Sequence, residues 1–217
     1  MIRTLEQAKI LMKYHIKEVY VDNLGLLNKI KDYFDKIIPV LPRIIKDEYF
    51  DDIVSLVQDY PVIMVSDLGM LELFKNKDKE ANYSLNISNE YGLKLLDDYQ
   101  VNNVLFSLEN MNYNKRLANQ TTTSLGYGYQ PLMIMEYCPI NKDKNHHCLE
   151  CTLCQEHQYY LKDEDHQSLP LVYHGYDILE LFSKQPVINN NIQTNYVLIS
   201  LTIEKQHECE KIIKKYL

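Results

Sequence analysis

Four of the five cysteines in this chain fall within 17 residues: Cys138, Cys148, Cys151 and Cys154, spaced C-x9-C-x2-C-x2-C. Two successive C-x2-C steps place three thiolates on one tight loop, and a fourth from a strand end completes a tetrahedral sulfur set. Reduced cytoplasmic thiols at this density are expected to be held by a metal. The C-x2-C-x2-C run is similar to that used by bacterial iron–sulfur proteins, and four-cysteine sets also hold structural zinc. Spacing does not choose between the two. His146 and His147 adjoin Cys148, so a three-cysteine, one-histidine zinc site stays open, although two neighbouring polar histidines read more simply as an exposed loop. Cys209 stands apart, on a helical face with Ile212, Ile213 and Tyr216, and is expected to be a buried thiol rather than a nucleophile. The chain has no GxSxG and no HExxH. Its only Gly-x-Gly, at Gly126 and Gly128, lacks the third glycine of a dinucleotide loop and reads as a turn or a close-packed strand.

The elements that must position these residues alternate between helix and strand patterns. Thr4 with Gln7 makes a capping box at the start of a helix ending near Tyr14. Val19–Val21, Ile37–Leu41, Val62–Val65, Tyr83–Ile87 and Val104–Ser107 read as strands, with Pro39 weakening the second because it lacks an N–H. Helical patterns stand between them, the clearest being the apolar face Tyr49, Phe50, Ile53, Val54 and Val57 behind Asp47 and Glu48. Further strands are expected at Pro131–Tyr137 and Tyr196–Thr202, with a helix from about Ile203 to the end. Unbroken apolar runs suit strands buried on both faces of a parallel sheet, and the alternation suggests βαβ units. Five or six parallel strands and 217 residues fall short of the eight strands and about 250 residues typical of a closed (β/α) barrel. The expected fold is therefore α/β, a partial TIM-like (β/α) barrel with a C-terminal cysteine-cluster segment. Its divisions are the partial barrel at 1–137, the cysteine loop and following strand at 138–187, and a strand and helix packing on the barrel at 188–217.

Composition bounds the function. The chain is 46% hydrophobic and 24% charged, as in a soluble globular protein. No apolar run approaches the ~20 residues of a membrane span. The first residues carry Arg3 and Glu6 without an apolar stretch, so no secretion signal is expected and the location is expected to be cytoplasmic. A net charge of −7 argues against unspecific nucleic-acid binding, though not against a shaped RNA site.

The segment Pro131-Leu132-Met133-Ile134-Met135-Glu136-Tyr137-Cys138-Pro139-Ile140 resembles the PLM-x-x-EYCP motif in the C-terminal part of the peptidase U-32 family, the collagenase-like proteins. Leu41-Pro42-Arg43-Ile44, Val65-Ser66-Asp67-Leu68-Gly69, the Tyr83–Asn89 stretch with its SLN-x-x-N, and Ser107-Leu108-Glu109 agree in order and spacing. Beyond the cysteines, Tyr159–Asp163 and Leu169-Pro170-Leu171 do likewise, so the resemblance covers roughly residues 4 to 187. It implies a TIM-like barrel and a [4Fe–4S] cluster at its C-terminal side. Family members act in oxygen-independent hydroxylation of RNA bases or of a quinone precursor, or carry the label of collagenase-like protease. Cys138 is carried over most firmly as a metal ligand, followed by Cys148, Cys151 and Cys154. The family's first half, with its GA-x-C-type motif, has no counterpart here. The resemblance therefore implies the second half or second module of a longer protein, with a missing N-terminal half or a second U-32 chain as partner. Where members tend to show another cysteine, this chain reads His174-Gly175-Tyr176-Asp177, leaving the triple cysteine or His174 to take that ligand's place.

Three readings compete. The first is a cluster-dependent enzyme acting on RNA or a small aromatic, with Glu136 and Tyr137 beside Cys138 as candidate catalytic residues. Against this, Glu136 would simply be hydrogen-bonded inside the barrel. The second is a protease, for which the residues themselves supply no activated nucleophile and no open metal position. The third is a non-catalytic module, stabilised by zinc or an iron–sulfur cluster, that binds RNA or a partner chain. Tyrosines near the cysteines in sequence, Tyr127, Tyr129, Tyr137, Tyr159 and Tyr160, would then stack on bases, although scattered aromatics read more simply as core or surface packing.

Overall fold

The computed structural model describes residues 1–111, 119–140, 151 and 153–217. The architecture is α/β. In the first half each strand hands over to a helix: α1 (Leu5–Lys13), β1 (Glu18–Val21), α2 (Leu27–Ile30), β2 (Lys36–Pro39), α3 (Asp47–Val57), β3 (Val62–Val65), α4 (Leu68–Leu73), β4 (Asp78–Ala81), α5 (Glu90–Asp98) and β5 (Val101–Leu105). Then come β6 (Thr121–Gly128), β7 (Pro131–Met135), α6 (Leu153–Glu156), β8 (Tyr159–Lys162), β9 (Ser168–Gly175), β10 (Ile178–Phe182), β11 (Val187–Ile188), β12 (Tyr196–Ile199) and α7 (Gln206–Tyr216).

The helices start where the sequence supplies caps. The Thr4 hydroxyl accepts from the Gln7 N–H while the Gln7 side chain accepts from the Thr4 N–H, closing the capping box on α1. Asp67 and Asn89 cap α4 and α5 in the same sense, accepting from the N–H groups of Met70 and Gly92.

Strands that alternate with helices pair in parallel: β1 with β2, β3 with β4, β4 with β5, β5 with β6, and β6 with β12. Between β2 and β3 the ladder shrinks to the single bridge Val40–Met64. Pro39 explains this. Leu41 sends its N–H to the Met64 carbonyl at 2.9 Å, so the position two residues earlier faces the same neighbour, and proline has no N–H to give. The first residues join both ends of the series. Ile2 donates to the Tyr20 carbonyl (2.9 Å) and accepts from the Asp22 N–H (3.1 Å). On its other side, the Met1 nitrogen donates to the Ile199 carbonyl (2.6 Å), and the Met1 carbonyl accepts from the Leu201 N–H (3.0 Å).

Successive strand residues point to opposite sides, and here both sides are buried. Ile38, Val40, Met64, Leu105, Leu125 and Leu198 pack with Met1 in one core. Ile37, Ile63, Val65 and Val104 pack in the larger core with helical residues such as Ile53, Leu93 and Ile213. Two-sided burial is what unbroken apolar runs signify.

Polar strands escaped that signal. The expected strand at Tyr83–Ile87 is a short 3-10 turn at Tyr83–Leu85, and the strand lies earlier, at Asp78–Ala81. Lys79 and Glu80 of this strand are buried with partners. Lys79 donates to the carbonyls of Lys75 and Lys77, and Glu80 accepts from the Tyr20 hydroxyl (2.6 Å) and the Asn103 amide (2.9 Å). Gly126 lies within β6, where an added Cβ would come within 2.3 Å of Val197 Cγ1, so the Gly-x-Gly is a close-packed strand.

Pro131–Met135 departs from expectation in another way. As β7 it belongs to a four-stranded antiparallel sheet, ordered β7-β10-β9-β8, within the stretch that separates β6 from β12. That sheet has a small core of Leu171, Leu179 and Leu181, against which Met135, Cys138, Cys154 and Tyr159 pack.

Candidate functional site

Cys138 and Cys154 pack against the core of this small sheet. Cys138 follows β7 by three residues, and Cys154 lies in the single turn of α6 that precedes β8. Cys138, Cys151 and Cys154 are half-buried and free of disulfides. Burial pushes the Cys154 thiol up to about 11, with further pushes from the thiolates of Cys138 and Cys151. Cys138 and Cys151 are therefore electrostatic neighbours of Cys154. Among the described residues, no three His, Cys, Asp or Glu side chains close tightly on one ion. Cys148, His146 and His147 lie outside the described residues.

Glu136 and Tyr137 occupy a bend just beyond β7, and both are exposed, Tyr137 by 65%. Glu136 is thus not held inside the parallel sheet, and neither side chain is buried with the cysteines. Cys209 is fully buried on α7, donates its thiol to the Glu204 carbonyl (3.4 Å), and is pushed up to about 12 by burial and then by Glu204 and Glu208. That is a structural thiol.

A second cluster joins the small sheet to the strand ends of the parallel sheet. Residues Tyr176 and Asp177 turn β9 into β10, both with positive φ, behind Gly175 at φ 89°. The register then skips a residue, Ile178 facing Gly175 and Leu179 facing Tyr173, so His174 is the extra residue of a β-bulge. Bulges re-aim side chains. This one sets His174 beside Glu180, with Nε2 at 2.7 Å from Glu180 Oε2 and Nδ1 at 3.5 Å from Asp22 Oδ1. Arg3 pairs with Asp22 through Nη2 and approaches His174 Nε2 through Nη1 at 2.7 Å. Arg43 Nη1 reaches Glu180 Oε1 at 3.2 Å. Arg3, Asp22 and Arg43 directly follow the strand segments of the parallel sheet, whereas His174 and Glu180 come from the antiparallel one.

The charges set one another. Burial and Arg3 push His174 down, but Asp22 and Glu180 outweigh them and raise it above its ordinary value, favouring the imidazolium that donates to both carboxylates. The Arg3 contact alone would suit a neutral ring accepting at Nε2; two carboxylates against one guanidinium decide for the charged form. Burial would raise Asp22, yet Arg3 and His174 hold it well below the usual carboxylate range, and Glu180 is lowered against its burial by His174 and Arg3. With both ring nitrogens engaged here, His174 is committed to this cluster and directs neither nitrogen to the thiols.

The sequence gives a signal for this cluster, though a faint one. Each ring-side member is a charge placed directly after an apolar strand (Ile2-Arg3, Val21-Asp22, Leu41-Pro42-Arg43), and Glu180 is a lone charge within Ile178–Phe182. No family model, curated protein or solved structure matches the chain. No described helix is long and apolar enough to cross a membrane.

Proposed function

We propose that this is a peptidase U-32-like protein whose Cys138, Cys148, Cys151 and Cys154 hold a [4Fe–4S] cluster, working in oxygen-independent hydroxylation of RNA bases or of a small aromatic. The observation that carries the reading is the convergence of three thiols on one end of the small sheet, where Cys154 is held protonated by burial and by its two neighbours. Mutually opposed thiolates become a favourable set once a cation neutralises them, and an all-sulfur set suits iron–sulfur or zinc. When bound, the cluster would supply one-electron chemistry and Lewis-acidic iron.

The ring-like series of parallel pairings supports a (β/α) barrel, formed by Met1–Ile2, β1 to β6 and β12, with the small sheet inserted over the end where active sites of such barrels lie. In this reading Arg3, Asp22 and Arg43 orient the inserted sheet through His174 and Glu180. A missing N-terminal half or a second U-32 chain, and RNA or a small molecule as substrate, belong to the same proposal. The collagenase-like protease label gains less support. Cys209 is buried with a raised thiol, and His174 has no nitrogen left to serve as a base.

The second reading, a zinc- or cluster-stabilised module that binds RNA or a partner chain, is favoured by Tyr137 and Tyr160, which stand 65% and 49% exposed on the cysteine-bearing part. Anoxic purification with iron, acid-labile sulfide and zinc analysis separates the two. Iron and sulfide at about one cluster per chain support the enzyme; zinc without sulfide supports the module; no metal overturns both. Cys138→Ser is expected to lose the metal, and unchanged metal content would remove Cys138 from the ligand set.

A further inference from the structure

A cleft of about 520 Å3 runs between the small sheet and the start of α1, with Arg3, Thr4, His174, Thr202 and Cys154 among its walls. Two of these residues bring buried hydrogen-bonding atoms that have no partner among the described residues: Arg3 Nε and Thr202 Oγ1. Both residues are more than nine-tenths buried. Arg3 turns Nη2 to Asp22 and Nη1 toward the His174 ring, and it is the Nε–H that is left buried without a partner among the described residues. The Gln7 side chain ties the pair together, accepting from the Arg3 N–H at 2.8 Å and donating to the Thr202 carbonyl at 3.4 Å. The first turn of α1 adds more donors. Its ladder opens with Ala8 N–H to the Thr4 carbonyl, so the N–H groups of Leu5 and Glu6 lie outside it.

Buried polar groups are almost always paired, so two unpaired ones on one wall need an explanation. An N–H, a hydroxyl and a helix N-terminus on the same wall are a donor set for negatively charged oxygen. We propose that this cleft binds the oxyanion group of a small molecule, a carboxylate or a phosphate, through Arg3 Nε, Thr202 Oγ1 and the first-turn amides of α1. Cys154 lines the same cleft, so the remainder of such a molecule would lie beside the thiols. The oxyanion site itself does not depend on what those thiols hold.

The test uses the full chain as purified with its metal, titrated with inorganic phosphate and with acetate at ionic strength held constant by sodium chloride. A saturable rise in the thermal midpoint is expected with one of the two anions. Phosphate alone points to a phosphate ester, acetate alone to a carboxylate. Thr202→Val keeps the shape and removes an unpaired buried hydroxyl, so it is expected to fold at least as stably as the parent. It should bind the anion about tenfold more weakly or worse, the usual cost of losing a hydrogen bond to a charged group. Thr202→Ser, which keeps the hydroxyl, is expected to bind like the parent. No response beyond chloride, an undiminished response in Thr202→Val, or loss in Thr202→Ser as well would overturn the site. Metal content measured on the same samples keeps that outcome distinct from failure of the metal reading.

Discussion

The parallel sheet and the small antiparallel sheet are stabilised by different means. The parallel strands are bonded on both sides, and both of their faces are covered by apolar cores. Their buried polar residues are satisfied internally, as in the Tyr20–Glu80–Asn103 chain, which continues from Asn103 Oδ1 to the hydroxyls of Thr121 and Thr123. The small sheet buries three leucines in its core and leaves Leu132, Met133 and Tyr160 exposed. Charge ties it to the larger sheet and its surroundings: Arg43 to Glu180, Asp22 to His174, and, from α3, Tyr49 to Asp177 at 2.7 Å. The contrast teaches that order in the cysteine-bearing region depends on paired charges and, in the proposed function, on a metal, whereas the parallel sheet rests chiefly on apolar burial over both faces.

Breaking the charge cluster should separate the two regions most sharply. Glu180→Gln removes one of the two carboxylates that face the buried His174, along with the partner of the exposed Arg43, and breaking a buried charge pair typically costs about 3–5 kcal/mol. Hydrogen exchange is expected to show β9 and β10 opening well before β3 and β4; equal loss in both sheets would refute the division. Leu179→Ala and Ile38→Ala each remove a fully buried side chain, at about 2–5 kcal/mol. The first should loosen the small sheet alone and the second should lower the global denaturant midpoint, so a pattern the other way round counts against the comparison.

The pH response follows from the signs of the shifts. His174 is raised, so its contribution is full below its ordinary value of 6.5 and disappears as pH rises through the higher folded value. Asp22 and Glu180 are lowered from 3.8 and 4.5; their contribution is full above those values and is lost as pH falls through the lower folded ones. Protection of β9 and β10, corrected for intrinsic exchange, should therefore be greatest between about 4.5 and 6.5 and weaken on the alkaline side. A flat profile in β9 and β10 would show that His174 does not hold the sheets together. The smallest effect is expected from Thr4→Ala, which removes the cap of α1 at about 1 kcal/mol, read in the global denaturant midpoint. A loss several times larger would mean that Thr4 carries the adjoining cleft as well as the helix.

What was legible in the sequence was whatever repeats along the chain. The capping box, the apolar runs at Ile37–Leu41 and Val62–Val65, the buried setting of Cys209 and the close packing of Gly126 all follow from local pattern. The strand Asp78–Ala81 was hidden because hydropathy treats Lys79 and Glu80 as surface residues, while the fold buries them against carbonyls and an amide. The pairing partners of Pro131–Met135 were hidden for a different reason, since an apolar run does not state which sheet will take it. The ion cluster was least legible of all. Arg3 and His174 stand 171 residues apart, and only a bulge and a two-residue turn aim the ring at its partners.

The bonds between Met1 and Ile199 span 198 positions of chain. During synthesis, the segment at Met1 and Ile2 has to wait for Tyr196–Leu201 before these hydrogen bonds can form. Until then Thr121–Gly128 lacks its parallel neighbour Tyr196–Ile199 and offers an open edge to other nascent chains. Early chaperone contact and slow release are thus expected of this chain, and truncation after Asn195 should yield aggregates rather than a smaller folded core.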